Sequence, residues 1–135
     1  MSRPEIRAKL VLEATVSPSE DPARVLQAMK NVLGEAEYET KIGPGSARLS
    51  SEDTRALVRI RDQLRDRHVR SAARKRMLLS ISGRSTSLML NRQAAAAGVV
   101  ALCGSPEESP LGPLYLKVES GSLDAVIDWL TAYAG

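Results

Sequence analysis

From Ile6 to Val16 every even-numbered position is apolar: Ile6, Ala8, Leu10, Leu12, Ala14 and Val16 alternate with Arg7, Lys9, Glu13 and Thr15. A period of two over this length puts the apolar groups on one side of an extended chain, which predicts a strand with one buried face. The period then changes. After "SPSEDP", the stretch "PARVLQAMKNVL" sets Val25, Leu26, Met29, Val32 and Leu33 on one stripe at helical spacing. Asp21 before Pro22 reads as a helix cap followed by proline in the first turn, and Gly34 closes the run. A half-buried strand and an amphipathic helix each need a covered apolar face, so the two patterns together demand a layered fold.

The same two periods recur along the chain. "EYETKIG" and "SARLSSE" flank a "GPG" turn and predict a β-hairpin. "SSED" caps a helix whose stripe is Leu57, Ile60 and Leu64. A second helical pattern runs from about Val69 through Ala72, Ala73 and Met77 to Gly83, either continuous with the first or broken near His68. "STSLMLN" reads as a strand, "RQAAAAG" as a turn or one helical turn, "GVVALCG" as a buried strand and "SPEESPLGP" as a loop. "LYLKVES" is a further strand, and "SLDAVIDWLTAY" is a helix with Leu123, Val126, Ile127 and Leu130 inward. The order β, α, β, β, α(α), β, β, β, α, with short turns between strands, predicts an α+β two-layer sandwich over residues 1–135. Its sheet is expected to be largely antiparallel and covered on one face by helices, with Leu10, Leu12, Leu88, Leu90, Val100, Leu116 and Val118 facing them.

Several function classes are disfavoured. The longest apolar runs, such as "AAAAGVVAL", are too short to cross a bilayer, and "MSRPEIRAKL" lacks the apolar centre of a signal peptide. Cys103 is the only cysteine, which fits a reducing cytoplasm. His68 is the only histidine, so a zinc or haem site has too few ligands and no cofactor is expected. His68 reads as a helix-surface or helix-junction residue, and Cys103 as a small core residue. "GPGSAR" opens no helix and is a hairpin turn rather than a phosphate loop. An enzyme is not expected.

Charge is distributed unevenly. From Arg55 to Arg92 there are eleven basic residues against Asp62 and Asp66, a net of +9, whereas the rest of the chain holds eight basic and fourteen acidic residues, a net of −6. Within it, "RIRDQLRDRHVRSAARKR" (59–76) carries seven arginines and a lysine. Arg67, Arg70 and Arg74 would share one face of a continuous helix, Arg61 and Arg65 form a one-turn pair, and Lys75, Arg84 and Arg92 extend the set. Guanidinium groups suit bidentate phosphate contact. Aromatic residues are few: there is no Phe, only Tyr38, Tyr115, Tyr133 and Trp129, which disfavours a base-stacking platform. The same arginines also fit the solvated side of two helices, with Asp62 and Asp66 pairing to Arg59, Arg65 and Arg70.

The stretch "AARKRMLLSISGRSTSLMLNRQAAAAGVVAL", followed by "SPLGPLYLKVE" and "VIDWL", resembles a family of small archaeal proteins. That family is catalogued as an uncharacterised protein family and grouped with RNA-binding proteins. The likeness runs through nearly the whole chain and is densest from Ala72 to Leu130, with Leu90–Ala95 ("LNRQAA") and Ser109–Pro113 ("SPLGP") its most specific motifs. It implies a fold like that of the ribosomal protein that binds five-S RNA. Family members often carry an aromatic and a basic residue after "QAA"; here Ala96, Ala97, Val99 and Val100 stand instead. The family supplies no catalytic residues to carry over. Some relatives are fused to a P-loop kinase-like domain, so such a partner is also implied. Physically, Asn91 and Gln93 read as amides that hold a turn.

Two functions follow as expectations. One is RNA binding through phosphate contacts by Arg61, Arg65, Arg67, Arg70, Arg74, Lys75, Arg84 and Arg92. The other is a structural or interaction protein, a homodimer or an accessory subunit of an enzyme such as a nucleotide kinase, that binds no nucleic acid. An uncovered edge strand would favour a homodimer.

Overall fold

The computed structural model describes residues 7–108 and 111–131. Five strands, β1 (Lys9–Thr15), β2 (Glu39–Gly43), β3 (Ser46–Ser51), β4 (Ser85–Leu90) and β5 (Leu114–Glu119), form one sheet in the order β2-β3-β1-β5-β4. Every neighbouring pair is antiparallel. The expected α+β two-layer arrangement is what the chain adopts. The alternating strand that opens the sequence becomes the central strand, paired on both sides, which is where a one-face apolar pattern buries the most surface.

Register explains the burial. Leu49, Leu12, Leu116 and Leu88 face one another across four strands, so they stand in one row on the same face. Leu10, Val118 and Thr86 form the next row. Apart from Thr86, these side chains join one core with the inward stripes of α1 (Pro22–Leu33), α2 (Thr54–Asp66), α3 (Arg70–Leu79) and α5 (Leu123–Leu130). Fully burying a Leu, Val, Ile or Met side chain contributes about 1.5–3 kcal/mol, so the leucine rows supply much of the driving force. The opposite face carries Lys9, Glu13, Arg48, Lys117 and Glu119 and is left to solvent.

The capping residues act as the sequence suggests. The Asp21 side chain accepts from Ala23 N–H at the start of α1, and Asp53 accepts from Arg55 N–H at the start of α2. Asn91 caps the short helix α4 (Arg92–Ala96), its side chain accepting from Ala94 N–H at 2.9 Å. Gln93 is exposed. Pro44 and Gly45 form the hairpin turn between β2 and β3. Of the "SPLGP" motif, Ser109 and Pro110 lie outside the described residues, as do Ile6 and Tyr133.

One expected strand is absent. "GVVALCG" does not add a paired strand to the sheet. Val100 is buried, but its N–H donates to the Gln63 side chain of α2 at 3.0 Å, so it packs on a helix instead of pairing in the sheet. Only Ala101–Cys103 run along the outer edge of β4, through Asn91 N–H to Ala101 O, a bridge between Leu90 and Leu102, and Cys103 N–H to Met89 O. The run is too short for a ladder because Gly104 and Pro106 turn it away. Cys103 is buried, and its thiol donates to Ser105 O at 2.9 Å.

The basic segment folds as two helices. At the end of α2, His68 adopts a left-handed conformation with φ 57°. His68 N–H donates to Arg65 O and Val69 N–H to Leu64 O, both at 3.1 Å. These two bonds form a Schellman closure, which satisfies carbonyls that would otherwise be free at the helix end. Val69 packs against the core beside it, as the hydrophobic contact of such a closure requires. His68 is thus a helix-junction residue.

Candidate nucleic-acid interface

The break at His68 changes the geometry expected for the arginines. Arg67 caps α2, and Arg70 opens α3, so Arg67, Arg70 and Arg74 do not share one helix face. Arg70 and Arg74 remain one turn apart on α3. Arg74, however, is engaged in an ion pair with Asp128 of α5.

Seven of the eleven basic residues from Arg55 to Arg92 are committed to partners inside the fold. Arg55 clasps Asp53 through its side chain. The Arg55 guanidinium, with the Glu37 and Arg55 backbone N–H groups, holds the Asp53 carboxyl far below the usual carboxylate range. Arg59 crosses from α2 to donate to Asn31 O at 2.7 Å and Gly98 O at 3.1 Å. It lies so close to Gly34 that a Cβ there would stand 2.6 Å from Arg59 Cδ, and with φ 67° the position suits glycine on both counts. Arg61 donates to Trp129 O at 3.1 Å, and its guanidinium sits 4.9 Å from the centre of the Trp129 ring, in cation–π range. Arg65 pairs with Asp62 and Asp66, Arg74 with Asp128, and Arg76 donates to Cys103 O at 2.6 Å.

Arg92, expected to extend an exposed patch, is buried instead. It pairs with Glu20 at 2.7 Å, the two side chains being 6% and 8% exposed, and donates to Gly112 O at 3.0 Å. Its charge ties α4 to two separate loops and is not offered to a ligand at the surface. Arg61 is likewise half-buried against α5.

Four cations differ from these seven. Arg67, Arg70, Lys75 and Arg84 are exposed, and none has a carboxylate partner among the described residues. They fall on the end of α2, on α3 and on the turn into β4. No acidic residue occurs between Asp66 and Glu107 to neutralise them locally. The first turn of α3 holds no acidic residue and no side-chain cap, so its free N–H groups add positive potential beside Arg67 and Arg70. Arg65 flanks them, and its exposed ion pairs are weak enough for a phosphate to displace.

Elsewhere the surface is electrically mixed. The broad groove beside β2 and β3 is lined by Glu37, Glu39, Glu52 and Asp53 against Lys9, Lys41, Arg48 and Arg55, an even balance that attracts neither sign. Tyr115 is the one exposed aromatic ring among the described residues; Tyr38 and Trp129 are half-buried. Among the same residues no group of three or more His, Cys, Asp or Glu side chains is placed to hold a metal ion, and no helix is long and apolar enough to cross a membrane.

Comparison with known proteins agrees with this fold. A family described as RNA binding matches residues 9–119. A UPF0201 protein from Sulfurisphaera tokodaii is 37% identical over 125 residues, covering 91% of this chain and 86% of the relative. One from Sulfolobus acidocaldarius is 33% identical over the same length, again covering 91% and 86%. The crystal structure of a UPF0201 protein from Methanococcus jannaschii superimposes with a TM-score of 0.73 at 20% identity, covering 94% of this chain and 95% of that one, which is a likeness of fold. The sequence matches, which span nearly all of the sheet and its helices, place this chain in the UPF0201 family of archaeal proteins, to which an RNA-binding description attaches.

Proposed function

We propose that the protein binds RNA through Arg67, Arg70, Lys75 and Arg84, with Arg65 at the margin, by contacts to phosphates and not to bases. The observation that carries this reading is the partition of the basic segment: seven cations have partners in the fold, and the four without a carboxylate partner among the described residues lie around α3. Bringing uncompensated cations together costs stability, and a polyanion offsets that cost by releasing its own condensed counterions. With a single exposed aromatic ring among the described residues, those residues offer no platform for stacking several bases, so binding is expected to tolerate any sequence. RNA contact also fits the description of the matching family. The reading assigns no catalytic group.

The test is a titration of fluorescent single-stranded RNAs of differing sequence, read by anisotropy across a series of salt concentrations. Each phosphate contact on a single strand contributes about −0.7 to the slope of log affinity against log salt, so four contacts give roughly −3. Replacing Arg67, Arg70, Lys75 and Arg84 together by Ala is expected to flatten the slope and weaken all the RNAs alike. A variant that keeps the wild-type slope would move the contact surface elsewhere. A wild-type protein that binds no RNA at low salt would end the reading.

A further inference from the structure

The two edges of the sheet are finished differently. The outer edge of β4 is occupied, with Cys103 N–H bonded to Met89 O and Ser82 exchanging bonds with Ser85. β2 forms the opposite edge and, among the described residues, pairs with β3 alone. All five of its residues are exposed, including Ile42 at 62%.

Which backbone groups of β2 point outward follows from the ladder. Val16 N–H donates to Gly45 O, so even-numbered residues of β1 and odd-numbered residues of β3 point at each other. Even-numbered residues of β3 therefore bond to β2, where their partners are Glu39, Lys41 and Gly43. Thr40 and Ile42 are left with N–H and C=O groups directed away from the sheet.

An antiparallel copy of β2 can meet these groups in more than one two-fold register, and side-chain charge separates them. Centring on Lys41 sets Lys41 against Lys41 of a second copy, and centring on Glu39 sets two carboxylates together; like charges directly opposite are destabilising. Centring on Thr40 makes Thr40 face Thr40 in a hydrogen-bonded pair. It sets Glu39 opposite Lys41 twice on the open face, and it brings Tyr38 of each copy over the exposed Ile42 of the other. Tyr38 is half-buried against its own core and so is already positioned.

We propose that β2 is a homodimer interface in which two copies pair antiparallel about Thr40, joining two five-stranded sheets into one of ten strands. The occupant is a second copy because this single register satisfies the free backbone groups, opposes unlike charges and covers Ile42 together. The interface is independent of the RNA-binding reading, since β2 lies across the sheet from the α3 face and contributes none of its cations.

Light scattering at tens of micromolar is expected to give twice the 14.6 kDa chain mass. Thr40→Pro removes the central outward N–H, and proline is tolerated at an edge position whose N–H faces solvent, so this variant is expected to stay folded and run as a monomer. Glu39→Lys and Lys41→Glu, each alone, are expected to raise the dissociation constant about tenfold or more, because each sets like charges opposite one another. Mixed in equal amounts, those two variants restore unlike pairs and are expected to form a heterodimer with wild-type affinity. A monomeric wild type overturns the proposal. So does a dimer indifferent to both charge reversals, or a mixture of the two that fails to associate; the charge variants decide the matter even if Thr40→Pro unfolds.

Discussion

Arg92 and Arg84 lie eight positions apart in the same basic segment, yet they do opposite things. Arg92 is nearly inaccessible, paired to Glu20 and bonded to the Gly112 carbonyl, whereas Arg84 stands in solvent before β4. The contrast extends to the whole set: Arg59 and Arg61 hold helices together, while Arg67, Arg70 and Lys75 hold nothing among the described residues. A high count of arginine therefore reports two roles at once. Arg59 and Arg92 are structural fasteners whose loss strands a partner inside the fold. Cations outside it cost little to remove and are free to meet a ligand.

The largest expected effect tests the buried end of this contrast. Arg92→Met leaves the Glu20 carboxylate unpaired in a buried site, which is expected to cost about 3–5 kcal/mol. Urea unfolding monitored by circular dichroism measures it, and a loss below that of an ordinary surface substitution would refute the fastener role. Arg59→Ala comes next. It leaves two backbone carbonyls without their donor and vacates the space over Gly34, for an expected loss of about 2 kcal/mol in the same assay. A smaller effect is expected at Asp53. Its folded pKa lies below the unfolded value of about 3.9, so the stabilisation is complete above that value and is lost as pH falls below it toward the depressed folded pKa. Asp53→Asn should accordingly flatten the fall in melting temperature below about pH 4. The smallest effect belongs to the free cations. Alanine at Arg67, Arg70, Lys75 and Arg84 is expected to change stability by no more than about 0.5 kcal/mol each, so any loss of RNA affinity in that variant reflects lost contact and not unfolding.

Asn91 and the two edges show how far local chemistry carries. Asn91 caps α4 with its own side chain, a bond that spans three residues and needs no knowledge of the rest of the chain. The exposure of β2 also has a local sign, since "ETKIG" lacks the apolar alternation of the other strands. The segment "GVVALCG" misleads because its apolar run fits a buried strand equally well as a piece of chain wedged between α2 and the edge of β4. Only the Gln63 side chain, reaching Val100 from another helix, distinguishes them. The left-handed turn at His68 carries a weak sequence signal, because histidine enters that region less often than glycine.

Sequence periodicity alone determined the layers. Strands of period two, helices of period 3.6, and their caps and turns are set by neighbours within a few residues, so β1, the hairpin, α1, α2, β5 and α5 are all readable from the chain. The fate of each arginine was decided only by tertiary structure. The partner of Arg92 lies 72 residues away at Glu20, that of Arg61 lies 68 away at Trp129, and that of Arg59 lies 28 away at Asn31. A guanidinium on a long flexible stem looks the same in sequence whether it ends in water or against a carbonyl. Which of the two occurs depends on where the folded layers bring a distant acceptor.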